Sequence, residues 1–539
     1  IPAIVRAFPW PKSMRWGDAS ASTASLRWVR PLKSIIALFG DDVVPFEIDG
    51  IVSGSETRGH RFHHPGVITI GNADDYAAKL RMCHVIVSHE ERQIIIREGA
   101  AKAAAAAGLS VVSDDGLVIE NAGLTEWPSP ILGHFDPAFL TVPREVIQLT
   151  MRTNQKYFAV VDKAGKLAPN FICTANIEAS DGGVAIAAGN AKVLAARLSD
   201  AKFFWEQDLK IPLAEQAKKL DQIVFHEKLG TVADKVDRVA SLARWLVESG
   251  VVKGANPDEA DQAARLAKAD LVTGMVGEFP ELQGVMGGYY ARAEGLPAAV
   301  ADAIRDHYKP VGQGDDVPAA PVTVAGSLPD KPHSLQQFFA IGEKPTGSKG
   351  PFAPRRSALG IIRLLTGNGL RFAIPVELLE FFADRLKVQQ REAGIRHDLI
   401  DAVFALGGED DLVRLLARVK ALQAFVTTDD GANLLAGYKR SANILKKEGF
   451  EGSVANMPLS YTPEIEETAL IAALDSAEPT ARAAIAAEDF EGAMTALASL
   501  RAPIDGFFEK VTVNAADPAK RDHRLGLLAQ KQPVDLRAE

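Results

Sequence analysis

Cysteine is nearly absent from this 539-residue chain, and long apolar runs are missing. The two cysteines, Cys83 and Cys173, lie far apart in apolar surroundings, which excludes a disulfide framework or a zinc ribbon as the organising element. We expect both to be small buried residues. No stretch approaches the roughly 18 consecutive apolar residues of a membrane span, and no basic-then-apolar leader is visible. The sequence therefore predicts a cytoplasmic protein without membrane contacts.

Net positive charge is lacking too, because 60 Lys and Arg residues stand against 69 Asp and Glu residues, a formal charge of −9. This balance argues against a protein that coats nucleic acid indiscriminately. It leaves open RNA binding through local basic patches, which is common in acidic proteins. The length exceeds what one hydrophobic core usually supports, so we expect about three or four domains.

Sequence signatures of catalysis are also missing. The chain has no nucleophile elbow, no His-Glu-x-x-His motif and no dinucleotide-binding fingerprint. The pairs Asp306-His307 and His397-Asp398 would suit a metal-dependent phosphohydrolase only if further His and Asp side chains converged on the ion. Because Asp is favoured at helix starts, we expect these pairs to be helix caps. The residues predict no catalytic group and no metal site.

The first part of the chain has mixed α/β patterning. Short β-rich runs between turn residues predict strands at residues 34–39, 43–48, 66–70 and 157–161. The stretch from Val161 to Phe171 predicts a hairpin. From Asn190 onward the apolar residues follow the period of an amphipathic helix, and helical patterning dominates to the end.

Domain edges are expected near residues 205, 375 and 460, where the patterning changes or Gly/Pro-rich loops interrupt it. They divide the chain into segments 1–205, 206–375, 376–460 and 461–539. The predicted fold class is multidomain α+β, with a mixed α/β domain at the N-terminus followed by mainly helical domains.

A loop near residue 60 is the first candidate RNA-binding site. It contains Arg58, His60 and Arg61 beside an aromatic residue, a composition that suits a phosphate backbone with a base stacked on the ring. The alternative is a structural loop whose arginines pair with acidic neighbours such as Glu56.

A second candidate lies on the helix predicted over residues 433–447. Tyr438 could stack on a base there, and Lys439 and Arg440 could contact phosphates. The alternative is a basic helix face that is simply solvated.

The third candidate is the C-terminal segment, which is predicted to be a small helical bundle with a basic end. Arg501, Lys520, Arg521 and Arg524 are the candidate phosphate ligands, and Phe507 or its neighbour Phe508 the candidate stacking ring. The alternative is that both rings are core residues and the cations only solvate the bundle.

Several long segments carry a family resemblance. They are Phe8-Pro-Trp-Pro-Lys-Ser-Met-Arg-Trp-Gly17 and residues 53–62, 148–158, 196–205, 228–238 and 269–284. Through them essentially the whole chain resembles the β subunit of the bacterial tetrameric glycyl-tRNA synthetase. The N-terminal region of that family has no counterpart here and Ile1 is not Met, so we expect sequence upstream. Pro332 and His333 depart from the family's usual residues, so the helix geometry of the family need not hold there.

The resemblance implies a modular layout. The first segment looks like the B3/4-type domain shared with the phenylalanyl enzyme, the second like an HD-type helical domain, and the third like a helical linker. In the HD-like segment Glu278-Phe279 stands where a His-Asp pair would be, so a working metal site is not expected. The last segment resembles a DALR-type anticodon-binding bundle through residues 500–508 and 521–528.

The function implied is that of the tRNA-handling subunit of glycine–tRNA ligase. In this family the α subunit of an α2β2 complex carries the active site and uses ATP and Mg²⁺, while the β subunit binds tRNA(Gly) at the anticodon arm and the acceptor side. The chain itself would bind no cofactor and no DNA. The competing hypothesis is an HD-type metal phosphohydrolase with an RNA-binding tail. Editing by the B3/4-like part is a third, but glycine has no smaller amino acid to be confused with.

A first prediction concerns catalysis by the isolated chain. Because it lacks the motifs of an ATP-dependent active site, we expect it alone neither to activate glycine nor to charge tRNA. Glycine-dependent ATP–pyrophosphate exchange, measured with this chain, with the α subunit and with both, tests this. Exchange by this chain alone would overturn the expectation.

Overall fold

A computed structural model describes residues 1–312, 314–341, 354–392, 394–405, 409–450 and 461–530. The chain divides into two compact units. The first comprises Ile1–Lys210 and Gly277–Leu282, and the second comprises Ile211–Val276 and the residues from Gln283 onward. The domain edge predicted near residue 205 lies close to the end of Ile1–Lys210. No helix among the described residues is long and apolar enough to cross a bilayer.

The first unit combines six helices with a set of short strands. The helices are α1 (Pro2–Ala7), α2 (Ala73–Met82), α3 (His89–Ala106), α4 (Asp115–Leu124), α5 (Arg144–Thr150) and α6 (Val184–Asp208). The strands are β1 (Ile35–Ile36), β2 (Leu38–Phe39), β3 (Asp42–Val43), β4 (Glu47–Ile48), β5 (Ile51–Gly54), β6 (Glu56–Arg58), β7 (Val67–Thr69), β8 (Ser110–Val111), β9 (Ser129–His134), β10 (Phe158–Val161) and β11 (Leu167–Ala175).

An antiparallel sheet of order β8-β10-β11-β9 forms the centre of this unit. The predicted hairpin is confirmed, since β10 pairs with β11 and Phe158 lies opposite Ile172. Helix α3 packs against the sheet through small residues such as Ala100, which is buried together with Ile172. Gly99 permits this approach, because a Cβ there would come within 2.9 Å of Cγ of Pro130.

The strand predicted over residues 43–48 is wrong as a single strand. It is split into β3, which pairs with β2, and β4, which pairs with β5. Pro45 lies between the two pieces, and proline cannot donate a hydrogen bond to a β ladder. The run at 34–39 is likewise divided into β1, parallel to β5, and β2.

The second unit is almost entirely helical. Its helices are α7 (Leu213–Lys218), α8 (Val232–Glu248), α9 (Pro257–Leu266), α10 (Gly274–Glu278, which begins in this unit), α11 (Val285–Ala293), α12 (Ala298–Asp306), α13 (Pro321–Ala340), α14 (Pro354–Asn368), α15 (Val376–Glu392), α16 (His397–Ala405), α17 (Leu412–Val426), α18 (Asp429–Glu448), α19 (Ile465–Ala486), α20 (Phe490–Ala498), α21 (Arg501–Lys510) and α22 (Pro518–Gln530). A small hairpin consists of β12 (Val224–His226) and β13 (Gly230–Thr231).

The hydrophobic cores of this unit do not follow the predicted domain edges. One core extends from α8 to α17 and includes Leu335, Ile361, Phe382 and Leu415, so packing is continuous across residue 375. A second core, in the C-terminal bundle, includes Leu445 of α18. Helix α18 therefore packs with the bundle, although the predicted edge near 460 separates them.

Helix α13 continues through two prolines, Pro329 and Pro332. Each proline lacks an N–H and removes one backbone hydrogen bond from the helix interior. Packing compensates for this loss, since nearly every residue of α13 up to His333 is buried. His333 also contributes, because its Nε2 accepts a hydrogen bond of 2.9 Å from Nε of Arg238. The departure at Pro332-His333 is thus compatible with a continuous helix.

A buried polar cluster lies beside α13. Asp330 bonds Lys235 at 2.7 Å and Lys268 at 3.2 Å, and Nε2 of His307 lies 3.2 Å from Nζ of Lys268. Burial, followed by Lys268, lowers the pKa of His307 to about 3, so the ring is neutral. Asp306-His307 is not at a helix start as expected, since α12 ends at Asp306. The prediction of a cap at a helix start is wrong at this site, where His307 is the C-cap of α12.

The cluster leads to a second prediction. Asp330→Asn leaves Lys235 and Lys268 buried without a carboxylate, and we expect a loss of about 3–5 kcal/mol of stability. Hydrogen exchange of peptides from α8 and α13 measures this locally. The control is Asp302→Asn, which removes the partly exposed partner of Arg292 and should cost at most about 1 kcal/mol. Equal protection in the two variants would contradict the prediction.

Candidate nucleic-acid interface

The C-terminal bundle consists of α18, α19, α21 and α22 around a shared core. Thr428 caps the start of helix α18, and its hydroxyl accepts the N–H of Gly431 at 3.1 Å. Only two residues separate α17 from α18, and a Cβ at Gly431 would meet the carbonyl oxygen of Phe425 at 2.0 Å. Gly431 is therefore required for this tight helix–helix junction.

Phe507, a candidate for base stacking, is a core residue. It is fully buried in the bundle together with Ile504 and Leu528. A ring without exposed surface cannot stack on a base, so its assignment as an RNA contact is wrong. The reason is helical geometry: the buried Ile504 and Phe507, three residues apart on α21, share one face.

Arg524, a candidate phosphate ligand, is buried as well, with 3% of its surface exposed. Its guanidinium donates to Glu467 at 2.7 Å, to Glu464 at 2.7 Å and to the carbonyl of Thr512 at 2.8 Å. These acceptors occupy the guanidinium N–H groups that would otherwise bind a phosphate. The assignment of Arg524 as an RNA contact is therefore corrected to a structural role.

The charge state of this buried pair is well defined. Burial alone would raise the pKa of Glu467, but its hydrogen bonds with Arg524, the backbone of Glu464 and the hydroxyl of Tyr461 lower it overall. The same pair raises the pKa of Arg524. Glu467 is therefore ionised at neutral pH and compensates the buried guanidinium.

The cations of α18 are placed differently, because Lys439 and Arg440 are exposed. Within the described part of the chain neither forms an ion pair. The guanidinium of Arg440 lies 4.3 Å from the ring centre of Phe508, a cation–π contact. Tyr438 is 37% exposed. These residues keep the accessibility that phosphate contact and base stacking require.

The other candidate cations of the bundle contact neighbouring side chains. Arg501 forms an ion pair with Asp430, and Arg521 lies 2.8 Å from Glu448. Nζ of Lys520 lies 5.6 Å from the ring centre of Tyr461. A phosphate would compete with a carboxylate at Arg501 and Arg521, so the three cations between residues 520 and 524 do not form one free basic surface.

The candidate loop of the first unit likewise contains both exposed and buried residues. Arg58 and Arg61 are exposed, and the guanidinium of Arg61 lies 5.2 Å from the ring centre of Phe62. Neither arginine forms an ion pair with a described residue, Glu56 included. His60 is fully buried, with Nε2 2.7 Å from the carbonyl oxygen of Asn176.

The Nδ1 atom of His60 accepts the backbone N–H groups of Phe62 and His63 at 3.3 and 3.2 Å. Both ring nitrogens are therefore used to fold the loop. The assignment of His60 as an RNA contact is wrong, because the ring is closed off from solvent.

Metal ligands do not converge in the part of the chain that the structure describes, where no group of three His, Cys, Asp or Glu residues could hold an ion. At the expected motif position, Glu278 is exposed and Phe279 is buried. Near His307 a lysine ammonium lies where a second ligand would be needed. The described residues thus offer no donor set for a phosphohydrolase metal.

A family match gives the class of domain to which the C-terminal bundle belongs. Residues 434–534 match the family described as DALR anticodon binding domain. Residues 1–405 match the family described as glycyl-tRNA synthetase beta subunit, and the chain belongs to that family. The DALR match starts within α18, in agreement with the packing of that helix in the bundle.

Relatives agree with this family. The chain is 53% identical over 538 residues to the glycine–tRNA ligase beta subunit of Phenylobacterium zucineum, covering 98% of this chain and 80% of the relative. It is 50% identical over 578 residues to the protein of that name from Rhodospirillum centenum, again covering 98% and 80%. The protein of that name from Paracoccus denitrificans is 50% identical over 550 residues, covering 98% and 79%.

The third prediction concerns the buried pair. Arg524→Ala leaves Glu467 charged and buried, so we expect a loss of about 3–5 kcal/mol of bundle stability at neutral pH. Hydrogen exchange of α19 and α22 reports it. Arg521→Ala, which removes a partly exposed ion pair, is the control and should cost at most about 1 kcal/mol.

Two further measurements test the mechanism. Because the pKa of Glu467 is lowered by folding, the stabilisation should be present at neutral pH and disappear as the pH falls below the ordinary range of a glutamate. The double variant Arg524→Met, Glu467→Met should recover much of the lost protection, since an apolar pair needs no counter-charge. If the double variant is as unprotected as Arg524→Ala, the explanation is incorrect.

Proposed function

We propose that this chain is the tRNA-binding subunit of glycine–tRNA ligase, and that it positions tRNA(Gly) for a separate α subunit. The observation that carries the proposal is the exposed surface of α18. Lys439 and Arg440 have no carboxylate partner there within the described residues, and they lie inside the region that matches an anticodon-binding domain. The names of the relatives support glycine as the amino acid.

The division of labour follows from chemistry. The sequence lacks recognisable catalytic motifs, so glycine activation with ATP and Mg²⁺ is assigned to the α subunit of an α2β2 complex. This chain contributes the anticodon-arm contact and reaches toward the acceptor side, and it needs no bound cofactor for either task. Such a role places it in the cytoplasm with its tRNA.

The remaining candidate contacts fall into two groups. Lys439, Arg440 and Tyr438 of α18 are proposed as primary contacts because they are accessible. Lys520 is available on α22 of the same bundle, whereas Arg501 and Arg521 would first have to leave their carboxylates. A further group, Arg58 and Arg61 in the first unit, is proposed to contact phosphates elsewhere on the tRNA.

The fourth prediction tests the α18 surface. Each phosphate contact contributes about 0.7–0.9 to the slope of log K against log salt. Lys439→Ala and Arg440→Ala should therefore weaken tRNA(Gly) binding and each reduce the slope by about that amount, in filter-binding titrations at several salt concentrations. Arg482→Ala is the matched control, since Arg482 is paired with Glu478 on α19.

The contribution of Tyr438 to binding by base stacking can be measured separately from the contribution of the charged residues. Tyr438→Ala should cost about 1–3 kcal/mol of binding without changing the salt slope, while Tyr438→Phe retains the ring and most of the affinity. Truncation near residue 460 is unsuitable for this test, because it removes the packing partners of Leu445. Wild-type affinity and slope in all three α18 alanine variants would refute the proposed interface.

A further inference from the structure

Four arginines on α14 and α15 form a cluster that the proposed anticodon contact does not use. They are Arg355, Arg356, Arg363 and Arg385, and among the described residues none lies within ion-pair distance of a carboxylate. Arginines elsewhere in this acidic unit are usually paired, as in Arg244 with Asp258, Arg265 with Asp261, Arg292 with Asp302 and Arg371 with Glu488. The cluster is therefore a local excess of positive charge.

Helical spacing brings part of the cluster to one cavity. Arg356, Gly360 and Arg363 lie at i, i+4 and i+7 on α14 and thus share a face. They line a cavity of about 360 Å³ together with Gln389 of α15 and residues 310–312. Gly360 permits close packing, since a Cβ there would meet the carbonyl oxygen of Pro310 at 3.1 Å.

Buried polar atoms of α14 and α15 also lack partners, and of the residues that carry them Gln389 lines the cavity. Nε of Arg355, Nε of Arg385 and Oε1 of Gln389 are buried without a hydrogen bond. Burial and then the charge of the Arg355 guanidinium lower the pKa of Arg385. Buried N–H groups and adjacent like charges are both costly unless an acceptor with negative charge binds them.

Arg363 is already held in position. It donates to the carbonyl oxygens of Gly312 at 2.5 Å and Asp315 at 2.6 Å. These acceptors are neutral, so they fix the guanidinium without compensating its charge. Beside it, Arg356 is exposed and forms no hydrogen bond with a described residue. The N–H groups of its planar guanidinium are therefore available to a ligand.

We propose that the arginine cluster of α14 and α15 binds a phosphodiester group of the tRNA, as a contact separate from the C-terminal bundle. The proposal rests on the proposed function, since it assumes that the chain binds tRNA. Guanidinium forks match the oxygens of a phosphate in a bidentate geometry, and several can share one anion. The side-chain amide of Gln389 can donate to the same anion. A chain with a net charge of −9 needs such local cation excess to hold RNA.

The test compares full-length variants for tRNA(Gly) binding over a range of salt concentrations. Arg356→Ala should weaken binding about tenfold and reduce the salt slope by about 0.7–0.9. Arg356→Lys keeps the charge but loses the fork, so its slope should equal that of the wild type and its affinity should lie in between. Arg396→Ala, which removes an exposed arginine paired with Asp398, should change neither quantity.

Separate outcomes distinguish the two proposals. If the wild-type chain does not bind tRNA(Gly), the proposed function fails. If Arg440→Ala weakens binding but Arg356→Ala leaves affinity and slope unchanged, the cluster inference alone fails. Equal thermal unfolding of Arg356→Ala and wild type ensures that lost binding is not lost folding.

A second set of measurements identifies the molecule that supplies the phosphate. Binding of inorganic phosphate or of an acidic peptide to the wild type, lost in Arg356→Ala while tRNA affinity is unchanged, would overturn the assignment to tRNA. Competition between inorganic phosphate and tRNA that is present in the wild type and reduced in Arg356→Ala would support it.

Discussion

The enclosed guanidinium of Arg524 is the interaction on which the C-terminal bundle depends. It connects α22 to the first turn of α19 through Glu464 and Glu467, and to the segment before α22 through the carbonyl of Thr512. Glu467 also accepts the hydroxyl of Tyr461 at 2.8 Å. One cation therefore satisfies the polar groups of three chain segments at once.

The pairing of charges separates structure from function in this chain. Most arginines of the helical unit are bonded to a nearby carboxylate, as expected in a protein with more acidic than basic residues. Where a cation such as Arg440 or Arg356 has no acidic partner among the described residues, folding does not explain its position. A ligand with negative charge gives such a residue a role. The same criterion assigns Arg524 to the fold, although its sequence surroundings look like those of a phosphate ligand.

Sequence patterning predicted the broad architecture because it depends on periodicity and on extended family motifs. The β10–β11 hairpin followed from β-rich runs separated by turn residues, and the long helical part followed from apolar spacing. Sequence patterning failed to predict side-chain burial where that burial depends on residues distant in sequence. Arg524 follows Lys520 and Arg521 closely enough to suggest one basic surface, and only Glu467, far away in sequence, explains its burial. The composition of the loop around His60 suggests an exposed site. The ring is nevertheless buried, and its Nε2 lies 2.7 Å from the carbonyl oxygen of Asn176, a residue distant in sequence. The predicted strand at 43–48 is divided because Pro45 cannot donate a hydrogen bond to a ladder. The lack of acidic partners around the arginines of α14 is visible only in three dimensions.

The junction at Gly431 has a mechanical consequence. Helix α17 packs in the long core and α18 packs in the bundle. Because only two residues connect them, a movement of one helix is passed directly to the other. A second tie, from Arg371 to Glu488 at 2.6 Å, connects the same two bodies of helices away from the junction. The α17–α18 connection and this ion pair therefore join the bundle to the long core at two separated points. A load applied to α18 is therefore passed to α17 and to the core behind it.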